Sequence, residues 1–204
     1  MAFPASVVNS GENVTAADGN ATVAMDGRAA AATDGHAVVA PFGPRFFRDE
    51  LTIETEGSCG FHDITDDLTS FVTGCGLDFG MVVLLSLHTT AGLLINEHET
   101  GFRTDFREVA ERIAPSTHEY MHDDLSVRFE NLCPEDREFP NGHAHLQQSV
   151  IGAPSLVIPV HESAPVLGRW QRVFLIEFDR PRVRRVAIHG LGFAGAGAQQ
   201  PSHA

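Results

Sequence analysis

The chain has 204 residues and carries 14 Lys+Arg against 27 Asp+Glu, a formal net charge of -13, with 43% apolar residues; the length suits one domain with appendages, and the composition is too apolar for a wholly disordered chain. All 14 basic residues are arginine, which excludes Schiff-base lysine chemistry, pyridoxal-phosphate attachment and a Walker A loop. The acidic balance argues against a nonspecific nucleic-acid binder, whose affinity comes from neutralising phosphates.

Residues 1–44 are dominated by Ala, Gly, Thr, Asp and Asn. So few large apolar side chains cannot offset the ordering entropy, and a flexible extension is expected there. The folded domain is expected over 45–190, with 191–204 as a flexible tail. ELTIETE (50–56) alternates polar and apolar residues, the pattern of a half-buried strand. Thr65, followed by Asp66 and Asp67, starts a helix through Leu68, Phe71 and Val72 that stops near Gly74 or Gly76. FGMVVLLSLH (79–88) reads as a central strand, and GLLIN (92–96) is expected to continue the same sheet. Between Glu99 and Ala114, Phe102, Phe106, Val109, Ala110 and Ile113 fall on one helical face, and Pro115 ends the pattern. Residues 116–142 are polar, contain Pro134 and Pro140, and are expected to form a long functional loop. AHLQQSVI (144–151) predicts a short helix; SLVIPV (155–160), RWQRVFLIEF (169–178) and RVRRVAIH (182–189) predict strands. The sum is an α+β fold, a mainly antiparallel mixed sheet packed with helices in a single domain.

Cys59, Cys75 and Cys133 are too far apart for a CxxC motif, and an odd number suits a reducing compartment. No apolar run approaches the roughly 20 residues of a membrane span. The N-terminus has neither a basic n-region nor a sustained apolar core. A cytoplasmic protein without a membrane or nucleic-acid partner is expected.

Histidine is abundant, with 11 residues. His88 closes an apolar strand, His122 stands in EYMHDD, and His143 and His145 stand in NGHAH. Three neutral imidazoles converging from separate elements would hold a divalent ion with an open position; scattered histidines are more often solvated or hydrogen-bonded. Asn96 and Glu97 follow the second apolar strand. Glu97 suits either a general base or a favourable charge near the next helix start, and Glu99 the latter. Thr89 and Thr90 offer hydroxyls to an anion, or simply favour strand. Arg169, Arg172, Arg180, Arg182, Arg184 and Arg185 concentrate positive charge. Such guanidinium groups suit phosphate or diphosphate, while in alternating strands they also form a solvated face paired with Glu177 and Asp179. Trp170 is expected to pack in the core.

HTTAGLLINE (88–97), Tyr120-Met121-His122-Asp123, Asn141-Gly142-His143-Ala144-His145-Leu146, Gly152-Ala153-Pro154-Ser155 with Ile158-Pro159-Val160, Leu167-Gly168-Arg169-Trp170-Gln171 and Pro181-Arg182-Val183-Arg184 together resemble the YjbQ-like family, known as secondary thiamine-phosphate synthases. The blocks occur in the family's order across about residues 45–188. The resemblance implies an α+β fold assembled as a homotrimer, and a histidine-lined site. It implies His88, His122 and His145 as ligands of a divalent ion (Zn²⁺ or Mg²⁺), with His88, Glu97 and His143 as catalytic groups. Thr89, Thr90, Asn96, Arg169, Trp170, Gln171 and Arg182 would contact a small phosphorylated substrate. The implied reaction joins hydroxymethylpyrimidine diphosphate to a thiazole phosphate, releasing diphosphate. A metal-assisted hydrolase and a non-catalytic metal- or ligand-binding trimer are the alternatives. Two departures bear on anion recognition: Ser163-Ala164 stands where the family usually has Gly and a basic residue, and Arg169 where it typically has Thr.

Overall fold

The computed structural model describes residues 43–132 and 139–195. In chain order these form β1 (Arg45–Glu54), β2 (Gly60–Asp63), α1 (Thr65–Cys75), β3 (Leu77–Ser86), β4 (Ala91–Glu97), α2 (Thr100–Ile113), a 3-10 turn (Met121–Asp123), α3 (Gly142–Val150), β5 (Ser155–His161), β6 (Ala164–Pro165), β7 (Gln171–Glu177) and β8 (Val183–Ala194). The extension expected over residues 1–44 lies outside the described residues except for Gly43 and Pro44, as do Cys133, Pro134 and the tail from 196.

The α+β expectation holds, but the strands make two sheets, ordered β1-β8-β3-β5-β6 and β2-β7-β4, with antiparallel pairing throughout. GLLIN therefore does not extend the sheet of β3. Ser86 Oγ donates to Ala91 O at 2.7 Å and closes a tight loop. The chain leaves β3 there and enters β4, which pairs with β7.

Alternation decides which side chains form the core. Val82 and Leu84 of β3, Ile158 and Val160 of β5, and Val186 and Ile188 of β8 turn inward onto Leu93, Val173 and Leu175 of the smaller sheet and Leu68 and Val72 of α1. The other face of the smaller sheet carries Phe174, Ile176 and Phe178 against Phe106 and Ala110 of α2 and Ala144 of α3. Both faces of β7 are thus covered, which is why its sequence is continuously apolar rather than alternating.

β8 runs five residues beyond the expected end at His189, so residues 191–194 are strand rather than tail. Gly192 lies opposite Gly80 of β3, with φ of +158° and +156°. A Cβ on Gly80 would stand 2.2 Å from Leu191 O, and one on Gly192 2.1 Å from Phe79 O. Only this glycine pair lets the two backbones approach so closely. The hydrogen-bonded ladder then continues to Leu77–Ala194 across a bulge.

Candidate functional site

α3 is the element that positions the histidines. Its N-cap Asn141 makes no side-chain cap; instead Asp123 Oδ1, on the 3-10 turn, accepts from Asn141 N and Gly142 N, each at 2.9 Å. His122 precedes Asp123 on that turn, and His145 lies one turn into α3. Their ring centroids are 4.3 Å apart, tilted by 50°. Arg128 Nη1 donates to His122 O at 3.0 Å and lies 3.2 Å from His122 Nε2. Burial, then the neighbouring His122 and Arg128, hold His145 below its ordinary pKa of 6.5.

The negative charge acting on His145 comes from Asp179 and Asp123. Asp179, 7% exposed, accepts from Asn141 Nδ2 at 3.3 Å and forms an ion pair with Arg182 Nη2 at 3.0 Å. Its backbone N–H donates to Glu177 Oε1 at 2.9 Å. Glu177 is in turn gripped by Arg184, whose Nη2 also donates to Thr90 Oγ1 at 2.8 Å, while Thr55 Oγ1 donates to Glu177 Oε2 at 2.9 Å. One bonded network thus runs from the start of α3 through the β7–β8 connection to Thr90, in the loop between β3 and β4. Within it, Asn141 Oδ1 and Arg182 Nε are buried without a hydrogen-bond partner among the described residues.

His88 stands apart from the pair. Leu87 N donates to Arg185 O, and the next ladder bond is made by the His88 ring: Arg185 N donates to its Nε2 at 2.7 Å. The imidazole replaces the backbone carbonyl that would otherwise have continued the β3–β8 ladder. Burial, followed by the charge of Arg184, lowers its pKa, as suits a ring that accepts a hydrogen bond. With Nε2 so engaged, only Nδ1 of His88 is left to ligate a metal. Among the described residues, no three His, Cys, Asp or Glu side chains group as metal ligands. The His122–His145 pair offers two nitrogens, one fewer than catalytic zinc takes from protein, and imidazole is a poor substitute for the oxygen ligands of Mg²⁺. This single-chain donor set does not fit the expected ion.

The other expected residues are dispersed. Glu97 is exposed at the end of β4, and its N–H donates to Asn96 Oδ1 at 2.8 Å. His143 lies in the first turn of α3, half-buried, without a hydrogen bond to Glu97. Thr90 is buried in the network, whereas Thr89 is exposed. Trp170 is 61% exposed rather than in the core, because a tight turn, with Gly168 N donating to Gln171 Oε1 at 2.7 Å, holds it outside. The Arg169 guanidinium stacks over its ring at 4.6 Å. Ser163, with φ of +59°, is tied by its hydroxyl to Asp78 Oδ1 at 2.8 Å. Arg184 is not on a solvated face but buried against Glu177. Sequence reasoning gave Asp123 no role beyond its place in a motif, and missed Arg128 and the buried state of Glu177. A carboxylate ending a continuous apolar strand, with an arginine at an inward position of the next strand, was the available signal.

A profile of the family described as UPF0047 protein YjbQ-like matches residues 49–193. The chain belongs to the YjbQ-like family. A UPF0047 protein of Archaeoglobus fulgidus is 36% identical over 142 residues, covering 70% of this chain and 99% of that protein. The UPF0047 protein YugU of Bacillus subtilis is 31% identical over 147 residues, covering 70% and 97%. Among solved structures, a protein of unknown function from Sulfolobus solfataricus superposes with a TM-score of 0.64 at 28% identity, covering 74% of this chain and 99% of that one. A hypothetical protein from Aeropyrum pernix gives 0.61 at 30% identity, covering 72% and 98%. In this YjbQ-like chain, no helix among the described residues is long and apolar enough to cross a membrane.

Proposed function

We propose that the His122–His145 pair is the centre of a site for a small phosphorylated substrate, and that this chain has secondary thiamine-phosphate synthase activity. In that reaction the thiazole nitrogen attacks the pyrimidine methylene carbon. A C–N bond forms, the C–O bond to diphosphate breaks, and diphosphate leaves with the electron pair. The barrier falls where the leaving charge is neutralised and both reactants are held in line. Without lysine, arginine or a bound divalent ion must supply the positive charge. The observation that carries the reading is the contact of two histidines from separate elements, with Arg128 beside them and Arg182 reached through Asn141 and Asp179. The test is thiamine phosphate formation from the two phosphorylated precursors, followed by fluorescence after oxidation. Product is expected from the wild-type chain, falling about a hundredfold or more in His145→Ala, the range for one positioned acid–base or electrostatic group. Wild-type turnover no higher than that of the variant contradicts it.

We propose further that the chain assembles as a homotrimer. The face of the larger sheet turned away from the core is apolar and exposed, through Phe46, Phe79, Met81, Leu85, Val157 and Phe193. Phe79 and Phe193 are register partners, and Leu191 lies beside both Met81 and Phe46. A continuous patch of this kind favours burial against another copy.

A further inference from the structure

We propose that Asp123 is a positioning residue whose carboxylate assembles the histidine pair. The inference rests on the reading of that pair as the functional centre. α3 has only nine residues, and the first N–H groups of any helix lack intrahelical acceptors. Asn141, at the N-cap, turns its side chain to Asp179 rather than to the helix. The acceptor comes from 18 and 19 residues upstream: Asp123 Oδ1 takes both Asn141 N and Gly142 N. A carboxylate at this end also meets the positive pole of the helix.

A second feature makes the grip close. A Cβ on Gly142 would stand 2.5 Å from Tyr120 Cβ and 2.8 Å from Tyr120 Cγ. Tyr120 is itself anchored, its hydroxyl donating to Pro115 O at 2.9 Å. The missing side chain at 142 lets the 3-10 turn lie directly on the first turn of α3, and the two N–H bonds lock it there. The turn carries His122 and the helix carries His145, so the clasp sets the 4.3 Å separation of the rings. Asp123 acts through the pair; what it supplies is an acceptor oxygen at a fixed place, and its negative charge is secondary.

The test uses the full chain with ¹³C-labelled histidine and reads the ring-to-ring nuclear Overhauser cross-peak between His122 and His145. The cross-peak is expected in the wild type, at least about fivefold weaker in Asp123→Ala, and retained in Asp123→Asn, whose amide oxygen accepts the same two bonds. Gly142→Ala should also lose it, with Asp123 intact. Wild-type intensity in Asp123→Ala, or equal loss in Asp123→Asn, overturns the proposal. If Asp123→Ala does not fold, Asp123→Asn and Gly142→Ala decide: retention in the first and loss in the second support the clasp, and any other pattern overturns it. Thiamine-phosphate turnover, measured in parallel, should follow the cross-peak. The cross-peak is readable in a chain that makes no product, so failure of the synthase reading is distinguishable from failure of the clasp.

Discussion

Glu177 and Arg184 are 0% and 4% exposed and meet in a two-pronged ion pair backed by Thr55, Thr90 and the N–H of Asp179. Removing one partner leaves the other charge buried and uncompensated, which costs about 3–5 kcal/mol. Glu177→Gln should therefore lose that much in urea denaturation; a loss under about 1 kcal/mol would mean that water reaches Arg184. The histidines carry a pH signature. Burial is the leading cause lowering the pKa of His62, His88 and His145 from 6.5. As pH falls through that value the unfolded chain takes up these protons first, so stability drops until the folded-state pKa values are passed. The melting temperature should accordingly fall as the pH is lowered from 7 to 5, above the range where carboxylates titrate. The fall should be shallower in His88→Ala, and identical profiles would contradict a half-buried neutral ring. At this scale the sequence motifs brought His122 and His145 to notice. The role of His88 as a ladder acceptor was not legible, because it depends on β8 lying beside it.

Gly80 and Gly192 show how an element can depend on an absent side chain. Gly80→Ala brings a Cβ to 2.2 Å from Leu191 O at φ +156°, and the conformation alone costs roughly 1–3 kcal/mol for a non-glycine residue. Destabilisation by at least that much is expected in urea denaturation; a neutral effect would show that the β3–β8 approach is not this close. The helices were largely legible. α1 starts at Thr65 and ends at Cys75, with Gly76 in the left-handed region after it; α2 follows its apolar stripe and is capped by Glu99, which accepts from Gly101 N and Phe102 N. The strongest strands were legible because burial writes itself into long apolar runs. β2 (GFHD) and β6 (Ala164–Pro165) were not, since four and two residues carry no period. Nor does an apolar run say which sheet it joins, which is why β4 was assigned to the wrong one.

For the molecule as a whole, the described residues leave one large apolar sheet face exposed and carry the histidine pair on α3 and the turn before it. Sedimentation at several concentrations should find a trimer, and Met81→Arg, which puts a charge into that face, should shift it towards monomer; a monomeric wild type would contradict the assembly. The central claim, that His122 and His145 act as one centre for a phosphorylated ligand, is met most directly by a double-mutant cycle on binding of inorganic diphosphate, read by titration calorimetry with the wild type, His122→Ala, His145→Ala and the double variant. Residues acting as one unit are not additive. Each single substitution should weaken binding about tenfold or more, with the double variant no weaker than either single one. Unchanged affinity in all three variants, or losses that simply add, would contradict it.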